Sequence, residues 1–158
     1  MKSHEWPPVT GEAILQEARK WIDVPYHHDG RSREGGVDCA GLFAVVLGAL
    51  GVDVIDRRGV SRDDVYEAML ATFALHAERV GHGLLTAEAM LGESEWEGPK
   101  AGDALVFRGR AMPNHVAIAT GNGRMIHAYS SVGKVLEQPI GPAWIGRCSG
   151  VWRYKGSL

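Results

Sequence analysis

Residues 36–42 read Gly-Val-Asp-Cys-Ala-Gly-Leu, and the run from Leu42 to Leu50 that follows is apolar on nearly every side. A helix without a polar stripe has no face to offer water, so the rest of the chain must close around it as a buried central helix. Gly51 stops that helix. Cys39 stands where the glycine-bearing loop gives way to it. Backbone N–H groups left unpaired at a helix N-terminus, and the positive end of the macrodipole, favour thiolate over thiol. The thiolate is the nucleophile of covalent catalysis. A structural thiol is the competing reading of Cys39 alone, because free cysteines are among the most buried residues.

The nucleophile reading needs a base, and the second half of the chain supplies candidates. Helical patterns come first. Thr10 caps a helix carrying Ile14, Leu15, Ala18, Trp21 and Ile22, with Glu12 in its first turn and Val24-Pro25 as its stop. A charged loop with glycines at 30, 35 and 36 leads to Cys39. Ser61 opens a further helix as a weak capping-box pair with Asp64, and Val65, Ala68, Met69, Thr72, Phe73 and His76 keep helical spacing. A short helix over 84–91 and an acidic surface connection over 93–100 follow. Short β-like runs then occupy 103–108, 114–120, 124–129, 135–140 and 150–154. Helices followed by adjacent strands indicate an α+β fold with an antiparallel sheet of about five strands.

The strands carry His115 and His127. Alternation puts His115, Ala117 and Ala119 on one face. His127 joins that face only through an odd connection. A three-residue Gly121-Asn122-Gly123 loop leaves the two imidazoles diagonal, while a two-residue Asn122-Gly123 turn sends them to opposite faces. The catalytic reading therefore requires the less obvious turn. The small residues beside His115 would leave room for the helix bearing Cys39, with His115 as general base and His127 orienting it.

The 158 residues, 45% apolar and 23% charged with a formal net charge of −2, fit one domain with an ordinary core over about 10–155. There is no basic run for nucleic acid or an anionic membrane, and no apolar stretch long enough to span a bilayer. Two cysteines argue against a disulfide framework. Cys148 reads as inert packing, and His76 and His82 read as surface or helix-end residues. Trp144 and Trp152 read as core closure, with Trp144 also able to rim a cleft. The spacing of His27-His28-Asp29 fits no standard zinc pattern, so no metal site is assigned.

Together, Pro25-Tyr26, Asp38-Cys39-Ala40-Gly41-Leu42, Gly102-Asp103-Ala104-Leu105-Val106-Phe107, Asn114-His115-Val116-Ala117-Ile118 and Met125-Ile126-His127-Ala128 resemble the NlpC-type papain-like cysteine peptidases. The blocks stand in that family's order from about Glu17 to Tyr154. Ile126-His127-Ala128-Tyr129 followed by 135–140 looks most like the stand-alone peptidases of phage tails and gene-transfer agents. The resemblance implies a papain-like fold and a Cys39–His115–His127 triad that needs no cofactor. The implied substrate is the bond between γ-D-glutamyl and a diamino acid in peptidoglycan stem peptides. It further implies that Tyr26 shapes the oxyanion site, where the Cys39 N–H is the natural second donor, and that Asp38 grips the free amine of the substrate. Asp38 reads equally well as a helix N-cap. Ala40 departs from the serine of many members, which shares that amine contact, and residues 27–37 carry more charge than usual. This loop is either a substrate-tuning element or a solvated one.

Amidase or acyl-transfer chemistry with the same triad, and a non-catalytic tail-assembly or wall-binding module, are the alternatives. The first residues lack the apolar stretch of a secretory signal. The expectation is synthesis in the cytoplasm and action in the periplasm or cell wall after delivery by a particle or secretion route, with no membrane insertion and no nucleic acid partner.

Overall fold

A computed structural model describes residues 7–56, 62–82, 98–109 and 113–157. Helix α1 (Gly11–Arg19) starts where Thr10 Oγ1 accepts the Ala13 N–H at 3.0 Å, and it buries Ile14, Leu15 and Ala18. It ends earlier than Val24-Pro25, because a turn from Lys20 to Asp23, with Asp23 at φ 73°, redirects the chain. The following residues lie along the sheet edge, where Asp23 N–H donates to Val135 O and Tyr26 N–H to Gly133 O.

The charged loop is more ordered than a plain connection. Strands β1 (Arg31–Ser32) and β2 (Gly36–Val37) pair within it, and Gly36 at φ 96° supplies the left-handed turn residue. Helix α2 (Cys39–Ala49) begins at the cysteine itself and buries Leu42, Phe43, Val46 and Leu47. Its fully apolar character places it between α1 and the sheet, in one core with Val116, Ile118, Ile126 and Ala128. Helix α3 (Arg62–His76) presents Ala68, Met69, Thr72 and Phe73 to that core. Ser61, the 84–91 helix and most of the 93–100 connection lie outside the described residues.

Among the described residues, one antiparallel sheet has six strands. They are β3 (Ala77–His82), β4 (Ala104–Arg108), β5 (Pro113–Ala119), β6 (Arg124–Tyr129), β7 (Lys134–Pro139) and β8 (Cys148–Tyr154), ordered β3-β8-β4-β5-β6-β7. His76 is the last residue of α3, as read from the sequence, whereas strand β3 corrects the reading of His82 as a surface or helix-end position, since His82 pairs with Gly150. It follows α3 without a break, and Glu78-Arg79 offers no apolar alternation and no turn residue to announce it. The sheet's far face carries a second core of Leu105, Phe107, Ala117, Ala119, Met125, Cys148 and Val151. That face is capped by the short helix α4 (Pro142–Ile145). No helix among the described residues is long and apolar enough to cross a membrane.

Candidate active site

The start of α2 is held by a polar knot. Asp38 is its N-cap: Oδ1 accepts the Gly41 N–H at 2.7 Å and Arg31 Nη1 at 3.1 Å, and Oδ2 accepts the Asp29 N–H at 2.9 Å. Arg31 also forks onto Asp56 at 2.9–3.1 Å. A Cβ on Gly41 would sit 2.5 Å from Gly30 O, so glycine there is what lets the loop close over the helix end. Three donors occupy most of what one carboxylate can accept. Asp38 lines the cleft beside Cys39, and in this structure it serves as cap and anchor.

Cys39 is buried and, like the buried Cys148, forms no disulfide. Its Sγ lies 3.2 Å from the Tyr66 hydroxyl of α3, and the backbone N–H groups of Val116 and Ala40 also reach it. Burial pushes the thiol up from its ordinary value and the neighbouring Asp38 charge adds to this, against Tyr66 and the two N–H groups. Loss of water outweighs the local donors in this balance, so burial opposes the thiolate that the helix end favours.

His115 and His127 meet. His115 Nε2 lies 2.6 Å from His127 Nδ1, with the rings 4.9 Å apart and nearly perpendicular. The register pairs Ile118 with Ile126 and Ala119 with Met125, which is that of the three-residue Gly121–Gly123 connection, both glycines having positive φ. The face assignment needs correction. Ala117 and Ala119 pack in the far core and leave no room for α2; Val116 and Ile118 face that helix. The β5–β6 ladder covers only those two pairs, although the strands are seven and six residues long. The sulfur approaches at this opening, beside the Val116 N–H.

Gln138, Tyr129 and Trp144 complete the arrangement; the sequence offered Trp144 as a cleft rim, which it is, and did not single out Gln138. Gln138 Oε1 lies 3.2 Å from His127 Nε2. An amide oxygen only accepts, so His127 Nε2 carries the proton and Nδ1 accepts. His115 Nε2 must then donate, which leaves the lone pair on His115 Nδ1. Burial pushes His127 down to about 4, so it stays neutral through this relay. Tyr129 stacks on His127 at 5.1 Å, and Trp144 sits 5.2 Å from the His115 ring and 5.3 Å from that of His127, packing against both. Strand alternation places Gln138 diagonal to His127, across from Met125, and was the signal available for it. Nothing local announced Tyr66, whose contact with Cys39 spans 27 positions.

Cys39, His115, Tyr26, Asp38, Tyr66, Trp144 and Arg147 line one cleft of about 140 Å³. Donor atoms of His28, Asp29 and Asp38 lie within 4.8 Å of one another. The Arg31 guanidinium and two backbone N–H groups already hold the Asp38 carboxylate, so this set does not fit a cation site. His27 turns its Nδ1 to the His28 carbonyl at 2.8 Å.

The family model described as NlpC/P60 family matches residues 23–153. Among curated proteins, the chain is 29% identical over 141 residues to peptidoglycan endopeptidase RipB of Mycobacterium tuberculosis H37Rv, covering 82% of this chain and 47% of that protein. It thus spans about half the length of the curated relatives it matches. An NlpC/P60 family protein from Bacillus cereus superposes with a TM-score of 0.63 at 21% identity, over 95% of this chain and 42% of that one, and shows the shared fold. The NlpC/p60 domain of peptidoglycan hydrolase SagA matches at 26% identity and a TM-score of 0.58, over 92% of this chain and 99% of that domain. The solved structure of RipB from M. tuberculosis gives 26% identity and a TM-score of 0.57, over 90% of this chain and 63% of that chain.

Proposed function

The chain belongs to the NlpC/P60 family, and from that premise we propose that it is a cysteine peptidase hydrolysing an amide bond of peptidoglycan stem peptides. The observation that carries this reading is the line Gln138–His127–His115 ending beside a cysteine at a helix N-terminus. His115 Nδ1 takes the Cys39 proton as sulfur attacks the carbonyl carbon. The C–N bond breaks as the imidazolium returns that proton to the leaving amine. Water then hydrolyses the thioester, with His115 again the base. Backbone N–H groups at the start of α2 are suited to the oxyanion, a contribution of about 3–4 kcal/mol to the barrier. Burial that pushes the thiol up calls on His115 to take its proton as the attack begins.

The proposal extends to the bond between γ-D-glutamyl and a diamino acid, to Tyr26 beside the oxyanion, and to a single catalytic domain over 1–158 with its core at about 10–155. It also extends to delivery to the cell wall by a phage-tail or gene-transfer particle. The relatives' names support a cell-wall peptide as substrate. The sequence Ile126-His127-Ala128-Tyr129 supports the particle association, and absence of the protein from purified particles would count against it. The decisive measurement is digestion of purified peptidoglycan with mass analysis of the fragments, beside Cys39→Ala. A new γ-D-glutamyl terminus released only by the unmodified enzyme is the expected result. Equal fragment patterns from both proteins would refute the assignment.

A further inference from the structure

The cleft holds a guanidinium that pairs with no acidic side chain among the described residues. Arg19, Arg31, Arg124 and Arg153 each pair with a carboxylate. Arg147 forms none of the ion pairs found among the described residues, yet it is half-buried and lines the cleft with Cys39 and His115. It is also held in place. Its Nε donates to Arg108 O at 3.0 Å, its Nη2 to Asn114 Oδ1 at 3.3 Å, and its guanidinium carbon lies 5.0 Å from the centre of the Trp144 ring.

This clamp is built from local features with no other evident purpose. A bulge in β5 lets Arg108 pair with Pro113 and Phe107 with His115, which leaves Asn114 as the extra residue that reaches Arg147. The turn after α4 is tied by the Arg147 N–H to Trp144 O and by the Arg108 N–H to Arg147 O. Two of the five guanidinium donors are thereby used, and the three that remain are oriented by a rigid plate. A planar cation fixed in this way suits one ligand chemistry above others, a carboxylate.

Its position selects which carboxylate. His115 gives its proton to the leaving amine, so the residue carrying that amine sits on the His115 side of the cleft. Trp144 lies against the His115 ring there, with Arg147 upon Trp144. Asp38 and Tyr26 instead line the cleft from the segments next to Cys39, Asp38 as the cap of α2 and Tyr26 bridged to Val37. We infer that Arg147, set by Asn114 and Trp144, binds a carboxylate of the amine-side residue of the scissile bond. This inference rests on the proposed peptidase reading and names a substrate requirement within it.

The test uses two synthetic peptides, L-alanyl-γ-D-glutamyl-diamino acid with free amine-side carboxylates and the same peptide with those groups as carboxamides. The unmodified enzyme should favour the acid by about tenfold or more in kcat/KM, as befits a charge-assisted hydrogen-bonded pair. Arg147→Met, which keeps the stem on Trp144, should bring the acid peptide down to the level of the amide, and Arg147→Lys should fall between. A purely structural role would lower both peptides together and would overturn the inference, as would a wild-type enzyme indifferent to the amide. Calorimetry of the same peptides on Cys39→Ala, with and without Arg147→Met, reads the site without turnover. An acid preference lost with Arg147 upholds the carboxylate site even if hydrolysis fails, and equal affinities sink it.

Discussion

At the scale of single residues, proton placement rather than proximity decides whether the two histidines can work. Two imidazoles 2.6 Å apart can share a proton in either sense. Only an acceptor beyond His127 makes His115 Nε2 the donor and frees Nδ1. Gln138 is that acceptor. Gln138→Leu should therefore lower kcat by about tenfold with little change in KM, while Gln138→Glu, which still accepts from Nε2–H, should retain most of the rate. Steady-state kinetics on a cleavable stem peptide measures both, and equal losses in the two variants would contradict the relay. Cys39, His115 and His127 were legible as candidates from motif and alternation, and the structure brings the two imidazoles together and sets Cys39 and His115 on one cleft. Tyr66 was not, because its only relation to Cys39 is the way α3 packs on α2.

Among elements, the start of α2 does two jobs through one carboxylate. Asp38 caps the helix and also neutralises Arg31, whose side chain is only 9% exposed. Asp38→Ala removes a cap worth about 1 kcal/mol and strips one of two partners from a buried cation, so a total loss of roughly 2–4 kcal/mol is expected. Thermal melts should show a Tm lower by roughly 5–15 °C. Asp38→Asn, which still caps Gly41, should lose less. No loss in Asp38→Ala would mean that the knot is not structural. The N-cap alternative was readable from Asp38 preceding an apolar run. The salt bridge to Arg31 was not, since it depends on the β1–β2 turn folding back over the helix end. Strand β3 was missed for a similar reason: its polar residues take strand form only because β8 offers them a ladder.

For the whole molecule, the packed sheet sets the electrostatics of its most buried base. His127 is fully enclosed, and loss of water holds it near 4 instead of its usual value near 6.5. The folded state thus refuses a proton that the unfolded chain accepts between pH 6.5 and 4. This contribution is complete above about pH 6.5 and is lost as pH falls toward 4, amounting to about 3 kcal/mol. Urea unfolding across that range should show the decline, and His127→Gln should flatten it; an unchanged slope would mean that another group titrates. Sequence alone determined the α+β class, the buried central helix with its cysteine and the identity of the two imidazoles, because these follow from hydrophobic periodicity and residue chemistry read within short windows. Tertiary structure alone decided that β5 and β6 part beyond Ile118, that burial pushes the thiol up, that Tyr66 and Arg147 reach the cleft, and that Gln138 reaches His127. Each of these depends on what distant segments remove from water or bring within hydrogen-bond range, and no local pattern carries that information.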